Sequence, residues 1–212
     1  MIAVGHYSKT QRLVLAASLL LLGAAPASAL KDATEAITAD SDRNLALRSY
    51  TFDLHVNVVV HTFPTLRFRL DGIGTYERPQ HVVVHFTHVP WFGKGFERVD
   101  LAAFDPRTWP AQYTIAVARH DGEVTELSMH DRAKSPLKEA RATLDARAGV
   151  RRMVWEYDYG GRIEVNVTPA EVSGFTLPAS EDAEIKMPGV KATAHAEFSN
   201  YRVVSDEAAN AP

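Results

Sequence analysis

The chain has 212 residues, with 23 lysines and arginines against 26 aspartates and glutamates, and no cysteine. A net charge of −3 without a basic stripe argues against nucleic acid, which calls for a concentrated positive face. Without cysteine there is no disulfide framework, no thiol chemistry, no cysteine-based metal centre and no lipid-modified N-terminal cysteine.

The first residues read as an export signal. Lys9 and Arg12 lead into the apolar run Leu13–Leu22, and Ala27-Ser28-Ala29 is a small-residue cleavage site. The run is too short to span a bilayer as a helix. Residues 1–29 are therefore expected to be a signal peptide and residues 30–204 a single domain. Residues 205–212 are expected to be a disordered polar tail. The mature protein is expected to be soluble and periplasmic, with no stable membrane insertion after cleavage.

Residues 31–48 predict a helix broken at Asp40-Ser41-Asp42, with Ala33, Ile37, Leu45 and Leu47 on one face. Three strands then follow. In Tyr50–Phe63 the positions Phe52, Leu54, Val56, Val58 and Val60 alternate with Thr51, Asp53, His55, Asn57 and, past the exception Val59, His61. Leu66, Phe68 and Leu70 lie opposite Arg67, Arg69 and Asp71, and Val82, Val84 and Phe86 lie opposite His81, His85 and Thr87. Period-two alternation marks strands with one covered face, and the short connections at 63–65 and 77–79 predict antiparallel pairing. Gly72 and Gly74 fall on the apolar face, where they either relieve curvature or leave room for a ligand.

The loop Val89–Phe96 carries Trp91, Phe92 and Phe96, either as a lip over a cavity or folded back on the core. A second aromatic-rich connection, Phe104–Pro110, follows Val99–Ala103. His120-Asp121-Gly122 predicts a tight hairpin between Tyr113–Arg119 and Val124–Met129. Pro136–Ala146 has helical propensity, but a turn at Asp145–Gly149 ties it to a clear strand, so strand is preferred and helix stays open. That clear strand, Val150–Tyr159, sets Met153, Trp155, Tyr157 and Tyr159 on one face. Gly160-Gly161 turns it into Arg162–Thr168, where Ile163, Val165 and Val167 continue the alternation. Short strands are expected at Gly174–Leu177 and Ala183–Met187. A last strand, Val190–Val203, carries Ala192, Ala194 and Ala196 on one face.

No motif for chemistry stands out. His55, His61, His81, His85 and His88 cluster in the first strands, mostly on the polar face. Residues four apart on a strand sit about 13 Å apart, so a zinc site would have to converge across strands. There is no Gly-x-Ser-x-Gly elbow, no His-Glu-x-x-His and no phosphate-binding glycine loop. Glu156 and Asp158, two apart on an exposed face, read as solvated. No enzyme, no cofactor and no metal site is expected.

The segments Ala46–Leu54, Val150–Val165 and Ala194–Val203 together resemble the outer-membrane lipoprotein-sorting carriers of the LolA/LolB-like superfamily. The resemblance rests on strand layout across the mature chain. It implies a mainly β (α+β) fold: a single strongly curved antiparallel sheet of about ten to eleven strands. This open half-barrel would carry an N-terminal helix, with Pro136–Ala146 as the one candidate for a lid helix. It further implies a carrier or binding protein for a lipid, lipoprotein acyl chains or another apolar ligand, with inner- or outer-membrane envelope components as partners. The family's lipoprotein-binding arginine maps to no position here. The expected lining is Phe52, Leu54, Val56, Val58, Phe68, Leu70, Val84, Phe86 and Trp155, with Trp91 and Phe92 at the rim. The alternative is a non-enzymatic interaction module of an envelope complex, without a cavity, using the Trp91–Phe96 loop as its contact.

Overall fold

The structure, a computed structural model, describes residues 25–61, 63–79, 82–89, 98–133 and 135–206. The alternating segments pair into one antiparallel sheet of eleven strands. In chain order these are β1 (Leu47–Val60), β2 (Leu66–Glu77), β3 (Val83–His88), β4 (Arg98–Asp100), β5 (Tyr113–His120), β6 (Val124–Asp131), β7 (Leu137–Asp145), β8 (Gly149–Tyr157), β9 (Arg162–Val172), β10 (Phe175–Met187) and β11 (Val190–Ser205). The spatial order is β4-β3-β2-β1-β11-β10-β9-β8-β7-β6-β5, so β4 and β5 are both edges and the sheet is not closed.

This order has one topological consequence. The chain begins mid-sheet at β1, meanders out to β4, and must then cross to the opposite edge before it can meander back to β11. Residues 101–112 make that crossing as two 3-10 turns, Ala102–Phe104 and Pro106–Thr108, and a short helix, α2 (Trp109–Gln112). Side chains brace the crossover from within. The Asp105 carboxylate accepts from the Arg107 backbone N–H. Thr108 Oγ1 donates to the carbonyls of Ala102 and Asp105, both at 2.9 Å. The Trp109 indole N–H donates to the Ala103 carbonyl at 2.9 Å.

The N-terminal helix, α1 (Ala25–Asp42), packs on β5 and on the second turn of the crossover. Ala33 and Ile37, one helical turn apart, are buried there. Asp40-Ser41-Asp42 ends this helix and does not merely interrupt it. Ser41 Oγ donates back to the Ile37 carbonyl at 2.8 Å, and strand pairing takes over at Leu47. Leu45 therefore sits exposed in the turn and Leu47 is buried on β1, so neither shares the helix face expected of them. Arg43 fastens the helix end to the β7–β8 turn through Asp40 at 2.8 Å and the Asp145 carbonyl at 3.0 Å. Gly149, at φ +83°, lets that guanidinium pass, since a Cβ there would lie 2.5 Å from Arg43 Nη1.

Pro136–Ala146 is strand. Its helical propensity yields to ladders on both sides, with Ala140, Ala142 and Leu144 buried in alternation. No lid helix forms there, and the cover comes from α1 and the crossover. The two short strands expected at Gly174–Leu177 and Ala183–Met187 are one strand, β10. A bulge between Pro178 and Ser180 absorbs the proline that broke the pattern. The glycines on β2 leave room for aromatic rings of the neighbouring strands. Phe52 lies opposite Gly74, where a Cβ would fall 2.0 Å from its ring, and Phe86 covers Gly72 in the same way at 2.9 Å.

The inner face carries two cores. Ala33, Ile37, Trp109, Tyr113, Ile115, Leu127, Met129, Ala140, Ala142, Leu144 and Met153 form one, under α1 and the crossover. Leu47, Tyr50, Phe52, Leu54, Val84, Leu177 and Ala196 form the other, on β1, β3, β10 and β11.

Candidate ligand site on the inner face of the sheet

Register turns the alternating sequence into continuous apolar rows. One runs Phe68–Val58–Ala194–Ala183–Val165–Met153–Ala142–Leu127–Val117 from β2 to β5. The next runs Leu66–Val60–Ala192–Ile185–Ile163–Trp155–Ala140–Met129–Ile115. Their β5–β8 portions are sealed beneath Ile37 and Trp109. Their β1, β2 and β10 portions are not: Phe68, Val58, Val60, Ala183 and Ile185 stay half-buried and Leu66 is exposed. Alanines at 183, 192, 194 and 196 keep the floor low between bulkier walls. The result is an apolar furrow open along the β1–β2 hairpin end of the sheet.

At the other end of the sheet a cavity of about 230 Å³ lies between the two cores, bordered by Tyr50, Tyr76, Leu101, Arg107, Val150 and Leu177. That is below the ~300–1,000 Å³ usual for a pocket enclosing a drug-sized ligand, so a chain-like ligand would need the furrow as well. Aromatic rings build its β1 wall: Tyr50 stacks on Tyr76 at 5.0 Å and touches Phe52 and Tyr201, each at 5.9 Å. Arg107 lies over the Tyr76 ring at 5.7 Å, its charge met by Asp105 in a close pair, which holds the guanidinium above its usual pKa.

One charged side chain breaks the apolar rows. Glu181 stands in the row Leu70–Val56–Ala196–Glu181–Val167. Among the described residues nothing pairs with its carboxyl, and desolvation alone pushes its pKa up to about 7. Yet its surface is partly open to the inner face.

The outer face is mostly polar, with Val59, Ile73 and Val154 the apolar exceptions on β1, β2 and β8. Arg141, Glu156, Arg162, Glu164 and Arg152 form a charged ladder across β7–β9. His55 pairs with Asp71 at 2.5 Å, and His195 with Asp182 at 2.7 Å. The hydrogen bond to Asp182, helped by Glu197, raises the His195 pKa above the ordinary 6.5. An NMR titration is expected to place the His195 midpoint above 6.5, and Asp182→Asn to lower it. An unchanged midpoint in the variant would show that the carboxylate does not hold the imidazolium. Among the described residues no cluster of histidine and carboxylate side chains could hold a metal ion.

The residues singled out from sequence fall into four groups. Phe52, Leu54, Leu70 and Val84 are buried, with Val56 and Phe86 packed against that core. Val58 and Phe68 are the half-open furrow residues. Trp155 belongs to the opposite core, edge-on to Phe104 at 5.6 Å, and shares only the row with the others. Trp91 and Phe92 lie outside the described residues. Sequence reasoning passed over Trp109 as a plug, the tyrosine wall and Glu181. The aromatic density of Phe104–Pro110 pointed to the first. Extending Ala183–Met187 back by two residues would have put Glu181 on the apolar face.

No family model matches the sequence, and no curated protein does. Solved structures do match in fold. A DUF1329 family protein from Desulfovibrio piger superposes with a TM-score of 0.60 at 7% identity, over 84% of this chain and 95% of that one. A LolA superfamily protein from Nitrosomonas europaea gives 0.55 at 10% identity, over 82% and 96%. A domain assigned to outer-membrane lipoprotein sorting from Vibrio parahaemolyticus gives 0.55 at 7% identity, over 84% and 97%. The chain therefore has the LolA-like fold, an open antiparallel half-barrel. At these identities the likeness speaks for the fold alone.

Proposed function

We propose that this chain is a periplasmic carrier that holds a lipid, the acyl chains of a lipoprotein or another apolar ligand on the open part of its inner face, without performing chemistry on it. The observation that carries this reading is the pair of apolar rows left uncovered over β1, β2 and β10. A soluble domain gains by covering such surface, at about 25 cal/mol per Å², so an acyl chain laid there would be held by several kcal/mol. Val56, Val58, Phe68 and Leu70 form the floor in this reading. Phe52, Leu54, Val84 and Phe86 continue the same face into the buried core, and Trp155 stands on the far wall. Trp91 and Phe92 are placed at the rim on their sequence alone. Residues 1–29 act as the export signal and residues 30–204 as the carrier domain. Among the described residues no helix is long and apolar enough to cross a membrane. The sorting and LolA-type proteins that share the fold support the same reading.

The test uses a fluorescent fatty-acid probe. Wild-type protein is expected to bind it saturably, and Val58→Asp to weaken binding at least about tenfold by setting a charge in the furrow. His85→Ala, on the outer face, should change nothing. Val84→Asp is unsuited to the purpose, because Val84 is 1% exposed and its loss would damage the fold. Equal binding by wild type and Val58→Asp would move the ligand elsewhere. No binding at all would favour a non-enzymatic interaction module.

A further inference from the structure

We propose that the inner face selects amphiphiles that carry an ammonium group on their apolar tail, with Glu181 as the residue that recognises the charge. The inference rests on the carrier reading above and specifies its ligand class.

Three observations carry it. First, Glu181 occupies an inner-face position between Val167 and Ala196, in a row otherwise made of Val56 and Leu70. A carboxylate there costs stability unless something compensates it. Second, among the described residues no arginine, lysine, hydroxyl or backbone N–H engages it, so only solvent on the inner face compensates it, although carboxylates on the outer face are widely paired. The groups that face it are Tyr50 and Tyr201. Both are held neutral by burial, and the Tyr201 hydroxyl is already committed to the Pro178 carbonyl at 2.6 Å. Third, those rings belong to the cluster Tyr50, Phe52, Tyr76, Phe198 and Tyr201, with centroids 5.0–5.9 Å apart.

Aromatic faces beside a carboxylate are the chemistry that recognises alkylammonium groups. The same cluster already receives one cation, Arg107 over Tyr76, and Asp105 keeps that guanidinium from serving Glu181. An anionic headgroup at this point would meet the ionised carboxylate and be repelled. A neutral one would displace the solvent from it and put nothing in its place. An ammonium group removes the cost while its tail covers the furrow beyond Val58.

The experiment is calorimetric titration of the full chain at pH 8 with a long-chain alkyltrimethylammonium below its micelle-forming concentration and with the alcohol of equal chain length below its solubility limit. Wild type is expected to prefer the ammonium about tenfold. Glu181→Gln, which keeps the shape, should lose that preference and leave alcohol binding unchanged. Equal affinities in wild type, or a preference that survives in Glu181→Gln, would overturn the ammonium assignment while leaving the carrier reading intact. Failure of both compounds to bind would overturn the two together.

Discussion

Replacing Trp109 with alanine is expected to cost about 3–5 kcal/mol of folding free energy, the range for emptying a fully buried aromatic site. Trp109 is 0% exposed, although it belongs to a connection and not to a long element. The reason is topological. A sheet that starts in its middle must send one connection from edge to edge, and that connection closes one half of the inner face. Trp109 fills the space between the crossover and β5–β8, together with Ile37, Met129 and Met153. Its indole N–H also satisfies the Ala103 carbonyl, so the crossover loses both its anchor and its brace. Trp109→Phe, which keeps most of the volume, should cost much less, with about 1 kcal/mol from the hydrogen bond. Urea unfolding of the two variants checks this. A loss below about 1 kcal/mol for the alanine variant would mean that the crossover does not seal this half of the inner face.

Glu181 should make stability fall as pH rises. Its carboxyl moves from an ordinary 4.5 to about 7 in the folded chain. Between those values the folded state holds more of the proton than the unfolded state does, so unfolding becomes easier with each step up in pH. The stabilisation is complete below pH 4.5 and gone above about 7, a swing of about 3 kcal/mol at most. Burial shifts Asp40 in the same direction, while Asp71, Asp131, Asp145 and Glu164, lowered by their partners, act in the opposite one. The raw pH profile therefore mixes signs. The difference between wild type and Glu181→Gln isolates the one group, because the other carboxylates are common to both. Glu181→Gln is expected to gain on wild type by about 2–3 kcal/mol between pH 5 and pH 8. Parallel profiles would place the Glu181 carboxyl in water.

Much of this fold was legible because strand alternation is a local property. Phe52–Val60, Phe68–Leu70 and Met153–Trp155 fixed which residues face inward, and the Asp121-Gly122 turn fixed a hairpin. The furrow residues Val58 and Phe68 followed from parity alone. What parity does not contain is order in space. Nothing in the local pattern says that β4 and β5 lie at opposite edges, so the aromatic density of Phe104–Pro110 could not by itself place Trp109 over β5–β8, and parity could not separate Trp155 from the β1–β3 lining. Register across a bulge is equally non-local. The shift at Pro178–Ser180 split β10 into two fragments in the sequence and hid Glu181 in the gap between them.

The central claim, that the open rows hold an apolar ligand, is tested most directly by mass spectrometry of an organic extract of the protein purified from the periplasm without detergent. A lipid or lipopeptide in about one-to-one amount is the predicted result, and it should be absent from Val58→Asp prepared in the same way. An empty wild-type extract, or the same lipid retained equally by the variant, would contradict the claim.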